Sequence, residues 1–462
     1  MSIKASFIVP HPPLSVPNVG RGSEKQILKT IESYNQIAKE ISEIKPETII
    51  ISTPHTKIYS DYYNVLSAPI LEGSFARFGA AEVSFKEEND IELVKEIDNI
   101  CKATTFAGGI IDDDYNELDH GTMVPLYFIR KYLKDCKIVV IGLSEMNYIS
   151  HYIFGQIINQ AVENLNKDVV YIASGDLSHK LQEYGPYGFI EEGPIYEEQI
   201  IDICKKGEFE SLLGVDPILC EKAAVCGHKS FIMMSGAIAN KELRTKFYSH
   251  EDVTGVGYQI LSYYIENDIE NDYLEKYLNN EKKRLINYYN NADDYINLAK
   301  KTIDEYIKHE KVIEIPYNLN KELLNNRAGV FVSIHKYNNL RGCIGTINPV
   351  EDNVAEEIIR NAISAATNDY RFGPINKDEL DYLEIKVDVL LPPEKIESIS
   401  ELDCKKYGVI ITSGFKRGVL LPNLDNVPTV EDQIRIAKNK GNISDDEDYT
   451  IERFEVIRHK SH

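Results

Sequence analysis

The sequence predicts two successive domains, an α/β domain in the amino-terminal part and an α+β domain in the carboxyl part. Three observations carry this. The chain has 462 residues, more than one hydrophobic core normally organises. Up to about residue 265, short β-branched runs alternate with amphipathic stretches. Beyond about residue 290 the two kinds of segment follow one another less regularly.

The clearest strands of the first domain are Ser6–Val9, Thr48–Ser52, Lys137–Gly142 and Val169–Ser174, each almost wholly apolar. Continuous apolar strands separated by helices indicate a sheet covered on both faces. The intervening helices are expected over Gln26–Ile44, Asp90–Lys102, Val124–Leu133 and Ile153–Asn166. From Ser262 to Asn290 the composition turns to Tyr, Asn, Glu, Asp and Lys. Residues 266–291 therefore read as a linker, in which Asp272–Asn291 suits a solvated helix, and the domains are expected at 1–265 and 292–462. In the second domain helices are expected over Ala292–His309 and Val354–Thr367, and strands over Gly329–Ile334, Leu383–Leu391, Gly408–Ser413 and Gly418–Leu421.

The formal charge of −22, with Lys and Arg scattered among acidic neighbours, argues against nucleic acid as a partner. No apolar run reaches the ~18 residues of a membrane span, so no membrane partner is expected. The apolar run after Lys4 is stopped by Pro10, too early for a signal segment, and reads as a first strand. Seven irregularly spaced cysteines fit a reducing compartment, so a cytoplasmic protein is expected.

The histidines carry the chemistry. His11 directly follows the first strand, His55 follows Thr48–Ser52, and His179 follows Val169–Ser174. His120 stands just before the helix expected from Val124. In α/β sheets ligands bind in the crevice outside the carboxyl ends of the strands, so these four should converge on one metal site. His151, His250, His309, His335, His459 and His462 have no such placement, and His228 stays open beside Cys226. Imidazole suits zinc, copper and iron alike. Two histidines and one carboxylate would point to Fe(II) and dioxygen, leaving the other two histidines for proton transfer.

His11-Pro12-Pro13, Pro54-His55, the block Leu118-Asp119-His120-Gly121-Thr122-Met123-Val124-Pro125-Leu126 and Ser174-Gly175-Asp176-Leu177-Ser178-His179 resemble the catalytic chains of the class III extradiol ring-cleavage dioxygenases. They are also similar to the related Memo proteins. The resemblance covers about residues 3–262. It implies that His11 and His55 bind Fe(II), that His179 is the base taking the catechol proton, and that His120 is the acid assisting ring opening. The family's third ligand is Glu, but the matching slot falls at or next to Cys226, where Memo proteins also place Cys. A thiolate there makes a softer site, open to zinc or copper as well. Glu221, His228 and Glu251 are the other candidates for that ligand.

In the second domain the densest motif is Asn339-Leu340-Arg341-Gly342-Cys343-Ile344-Gly345-Thr346. Gly342 and Gly345 permit close backbone approach or positive φ, as in a tight loop. Arg341 suits a carboxylate or phosphate. Cys343 would be nucleophilic if Arg341 lowered its pKa; otherwise it is a packed cysteine on a strand and turn. The run resembles the signature of the AMMECR domain, joined by Arg371-Phe372-Gly373-Pro374 and Gly418-Val419-Leu420-Leu421-Pro422. A Memo-like domain followed by an AMMECR domain is similar to proteins of the AmmeMemoRadiSam systems, which implies a radical SAM protein as working partner.

Three functions are compatible with these features. One is an Fe(II)-dependent oxygenase acting on a small, aromatic or dihydroxylated substrate. Another is a Memo-type metal-binding or scaffold protein without ring-cleavage activity. The third is an enzyme whose decisive residues, Arg341 and Cys343 among them, lie in the AMMECR-like domain.

Overall fold

The computed structural model describes residues 2–111, 115–424 and 427–461; His462 lies outside them. The chain divides into two compact units, Met1–Leu278 and Asn279–His462. The division falls inside a helix, Tyr273–Asn290, formed from the Tyr- and Asn-rich segment.

The first unit is α/β. Its main sheet has six strands: β1 (Ile3–Val9), β2 (Thr48–Thr53), β3 (Lys137–Gly142), β4 (Val169–Ser174), β5 (Lys241–Glu251) and β6 (Tyr258–Asp268). Their order across the sheet is β3-β2-β4-β1-β6-β5. The first four are mutually parallel, while β6 pairs antiparallel with β1 and β5 antiparallel with β6. β5 carries Lys241, Glu242, Arg244 and Lys246, so no apolar run announces it. Such charges suit the edge position, where they discourage pairing with a further strand.

One face of the sheet, with Phe7, Val9, Ile49, Ile51, Val140 and Ile172, packs on Tyr34, Ile37 and Ile41 of helix Leu28–Ile44 and on Val124, Leu126 and Phe128 of helix His120–Ile129. On the other face Ile8, Ile50, Val139, Ile141 and Tyr171 are equally buried, and helix His228–Ala237 packs across β1, β2 and β4. This double cover is why the strands read as unbroken apolar runs. Helix Leu28–Ile44 has its predicted end, but helix His120–Ile129 begins four residues before Val124 because Asp119 caps it, accepting from the Thr122 N–H.

The second unit is α+β. One antiparallel sheet runs Asn339–Gly345, Val330–Lys336, Leu383–Leu390, Val456–His459. A second runs Glu394–Ile396, Thr450–Phe454, Gly408–Ser413, Lys416–Leu420. Helices Asp294–His309 and Val354–Thr367 cover the first sheet, and helix Val430–Lys440 packs on the second. No helix among the described residues is long and apolar enough to cross a membrane.

β4 is central and wholly buried. Ile172→Ala should therefore cost about 2–5 kcal/mol through lost burial and a cavity. Urea unfolding of the full chain should show this as a lower midpoint of the transition that belongs to the first unit.

Candidate metal centre

Three adjacent parallel strands, β2, β4 and β1, end together at one edge of the sheet: Val9 pairs with Ser174 and Ser52 with Ala173. Two residues past each strand end stand His11, Asp176 and His55. Because neighbouring strands end level, equal offsets bring these side chains to one place. β4 lies between β1 and β2, and the crevice outside the carboxyl ends of such parallel strands is where an α/β sheet binds ligands.

His11 is buried, and its Nε2 lies 2.9 Å from His55 Nε2 and 3.5 Å from Cys226 Sγ. Asp176 accepts the His11 backbone N–H at 2.7 Å, and its Oδ2 lies 3.9 Å from His11 Nε2 and 4.0 Å from His179 Nε2. His120, the first residue of its helix, stacks on His55 with ring centroids 4.1 Å apart and meets His11 edge-on at 5.3 Å. His11, His55 and His120 thus stand ring to ring, and His179 reaches the same crevice beside Asp176. Among the described residues, two groups of donor atoms are close enough to hold an ion: His11, His55 and Cys226, and Asp176, His179 and Cys226.

Cys226 reaches the crevice because of two glycines. A Cβ on Gly175 would stand 2.1 Å from the Gly227 Cα, so only glycine lets the Cys226 segment cross the end of β4 this closely. Gly227 N–H donates to the Asp176 carbonyl, and Asp176 N–H donates to Cys226 Sγ at 3.2 Å. The other third-ligand candidates are elsewhere. Both ring nitrogens of His228 are engaged, with Tyr196 and the Leu212 carbonyl. Glu251 accepts from the backbone and hydroxyl of Thr30, and Glu221 is exposed.

The site's electrostatics are those of neutral donors. Burial pushes the pKa of His11 well below the ordinary imidazole value, and the neighbouring histidines push it further. Burial likewise lowers His120 to about 4 and lowers His55 and His179. His55 is the solvent-exposed member, but His11 and His120 flank its ring. Burial raises the Cys226 thiol well above its ordinary value, and Asp176 adds to this. Asp176 itself is raised to about 7, mainly by burial, with Glu197 adding to the rise. At neutral pH the crevice thus holds four imidazoles offering lone pairs, one thiol, and a carboxyl poised between its two forms.

The donor set fits a metal ion. Two nitrogens at about 2.0–2.1 Å from one ion and at right angles stand about 2.9 Å apart, and a sulfur at about 2.3 Å stands about 3.1–3.5 Å from such a nitrogen. The observed separations, 2.9 and 3.5 Å, are compatible with this, and the first is also that of a hydrogen bond from one ring to the other. His179 Nδ1 is buried without a hydrogen-bond partner, and Tyr187 lies edge-on to the ring at 5.2 Å. Asp176 is the site residue that sequence reasoning misses. Its offset of two from the end of β4 is the signal that could have found it.

In the second unit, the Arg341–Gly345 run lies in strand Asn339–Gly345 rather than a tight loop. Gly342 and Gly345 serve close approach: a Cβ would stand 2.3 Å from the Ala365 carbonyl and 2.3 Å from the Phe331 ring respectively. Arg341 donates to both Glu379 oxygens and to the Gly373 and Pro374 carbonyls, so four of its five N–H groups serve the fold. Cys343 faces Ser333 Oγ at 3.2 Å, and its N–H donates to Asp369. Burial raises the Cys343 thiol, and the arginine beside it is Arg371, which donates to the Cys343 carbonyl. The arginine-activated cysteine entertained from sequence therefore gives way to a packed one.

Comparison with known proteins follows the same division. The family model for the catalytic LigB subunit of aromatic ring-opening dioxygenase matches residues 5–261, and that for AMMECR1 matches 296–459. A protein of Clostridium acetobutylicum is 42% identical over 469 residues, covering 100% of both chains. A protein of Thermotoga maritima is 51% identical over 168 residues, which is 36% of this chain and 97% of that one. The crystal structure of uncharacterized protein PH0010 from Pyrococcus horikoshii aligns with a TM-score of 0.33 at 32% identity, covering 36% of this chain and 89% of that one.

Two pH dependences follow. In the first unit the buried histidines, including His120 and His228 at about 4 and His151 at about 3, sit below their unfolded value of 6.5. The unfolded chain takes up protons first as pH falls, so stability present above about 6.5 is lost progressively towards pH 4. Thermal unfolding of the metal-free protein against pH checks this. In the second unit, burial alone would raise Glu379, but Arg341, the Asn376 N–H and Lys336 bring it from 4.5 down to about 2. Its contribution is present above about 4.5 and disappears towards pH 2. Glu379→Gln should accordingly lower the unfolding temperature of that unit at pH 7, with the difference closing across that interval.

Proposed function

The chain belongs to the family of the catalytic LigB subunit of aromatic ring-opening dioxygenases, joined to an AMMECR1 domain, and from that premise we propose that the first domain is a mononuclear Fe(II) oxygenase acting on a small hydroxylated substrate. The observation that carries this is the meeting of His11 Nε2, His55 Nε2 and Cys226 Sγ beside two further neutral histidines. In this reading His11, His55 and Cys226 hold the metal. When bound, the metal supplies Lewis-acid polarisation of a substrate oxygen and a place for dioxygen.

The remaining residues handle protons. His179, neutral at pH 7 with a buried unpartnered nitrogen, takes the proton of a substrate hydroxyl. Asp176 lies close enough to steady the imidazolium that forms. His120, with a pKa of about 4, enters as a neutral group and returns only a proton it has first received. Phe78, edge-on to His120, supplies an apolar wall. The domain order also supports a radical SAM protein as the partner.

One observation favours a second reading. Cys226 stands where the oxygenases place a carboxylate, and two imidazoles with a sulfur also suit zinc or copper held for a non-oxygenase role. Oxygen uptake separates the two. Protein purified without oxygen should carry about one iron per chain, strongly reduced in His11→Ala and His55→Ala. Uptake with a catechol panel should vanish in His179→Ala while the iron stays. Iron that binds without uptake on any catechol supports the second reading, and metal content unchanged in both ligand variants removes the centre altogether.

Cys226 gives a further expectation. Its raised pKa keeps it a thiol near neutrality, so binding as thiolate releases a proton and affinity rises with pH. Competition titrations at several pH values should show a slope about one proton smaller in Cys226→Ala.

A further inference from the structure

Helix His120–Ile129 contains Pro125. Proline has no N–H, so the carbonyl four residues earlier, that of Gly121, loses its helical partner. That carbonyl instead accepts from Ser174 Oγ at 2.5 Å. A carbonyl can only accept, so the single hydroxyl proton of Ser174 is committed to Gly121. Ser174 Oγ also lies 2.9 Å from His11 Nδ1, and with its own proton committed it can only accept there. His11 therefore carries its proton on Nδ1, and the lone pair of Nε2 faces His55 and Cys226.

We propose that Pro125 and Ser174 are positioning residues that set the tautomer of His11, so that the imidazole is committed to metal binding before the ion arrives. This rests on the reading of His11 as a ligand. Orienting a ligand through its second ring nitrogen is a general device of metal sites. Here the device is fed by a missing backbone donor. Pro125 is buried inside a helix, a position that costs helix stability, and the orphaned carbonyl gives that cost a use. Gly121 belongs to the same arrangement, because a Cβ there would stand 2.4 Å from Thr53 Oγ1 and 3.4 Å from His11 Nδ1. In Pro125→Ala the restored N–H draws the Gly121 carbonyl back onto the helix axis and loosens the Ser174 contact. Ser174 is then free to donate to Nδ1, which moves the imidazole proton to Nε2. In Ser174→Ala the Nδ1–H has no acceptor at all.

The experiment is nitrogen NMR of histidine-labelled, metal-free full-length protein, with His11 assigned by its Gln variant, together with zinc affinity from chelator competition. Wild type should show Nδ1–H at His11. Pro125→Ala and Ser174→Ala should shift the proton towards Nε2 and weaken zinc by about 10–100-fold. Pro125→Ala should do so without a lower unfolding temperature, since alanine favours a helix interior, and simple destabilisation would not give that combination. An Nε2–H tautomer in wild type, or wild-type zinc affinity in both variants, overturns the proposal. Should Pro125→Ala not fold, the wild-type spectrum and Ser174→Ala decide alone. The tautomer is read without metal, so a wild type that shows Nδ1–H but takes up no zinc supports the hydrogen-bond chain from Gly121 through Ser174 to His11 and counts against the metal centre.

Discussion

The parallel pairing of β1 with β4 and of β4 with β2 is the constraint on which the site depends. It brings the strand ends level, so that a fixed offset of two residues delivers His11, Asp176 and His55 to one crevice. A slip of one residue in either pairing would reverse the faces of a strand buried on both sides and carry its site residue away. The apolar packing that prevents the slip, with Phe7, Ile51 and Ile172 on one face and Ile8, Ile50 and Tyr171 on the other, thereby also sets the geometry of the donors.

A second layer works through the backbone. Gly175 and Gly227 let the Cys226 segment cross the end of β4 in contact, and Asp119 starts the His120 helix early enough to stack its first ring on His55. Ala224, near the same crossing, adopts a φ of +53°, a left-handed conformation unusual for alanine, while the Ala223 carbonyl accepts from the His179 N–H and the Ser178 hydroxyl. Strain of this kind persists where surrounding contacts over-determine the chain. Burial then supplies the electrostatics: desolvation opposes charge on every imidazole, leaving lone pairs available to a cation.

Much of this is legible in the chain itself. Three of the apolar strands of the first domain are readable to within a residue, because a doubly covered sheet leaves no exposed face to break the pattern, while β1 begins at Ile3, three residues before the expected Ser6. The family block Ser174–His179 and the four histidines place the crevice. Other features depend on contacts far apart in sequence. β5 is charged and reads as no strand until β6 pairs with it. Asp176 reads as an ordinary loop acid until its level with His11 is seen. Arg341 offers the fork expected for a ligand, but Glu379 and two backbone carbonyls 32 to 38 residues away occupy it. The helix expected from Val124 puts Pro125 beside its start, and only the fold shows that the proline lies inside the helix and which acceptor it sets free.

The central claim is that two imidazoles and one sulfur form a single metal site. X-ray absorption at the metal edge of the loaded full-length protein tests it most directly. Nitrogen scatterers at about 2.0–2.1 Å together with one sulfur at about 2.3 Å, the sulfur lost in Cys226→Ala, is the predicted result. A first shell of nitrogen and oxygen alone, identical in wild type and Cys226→Ala, would contradict it.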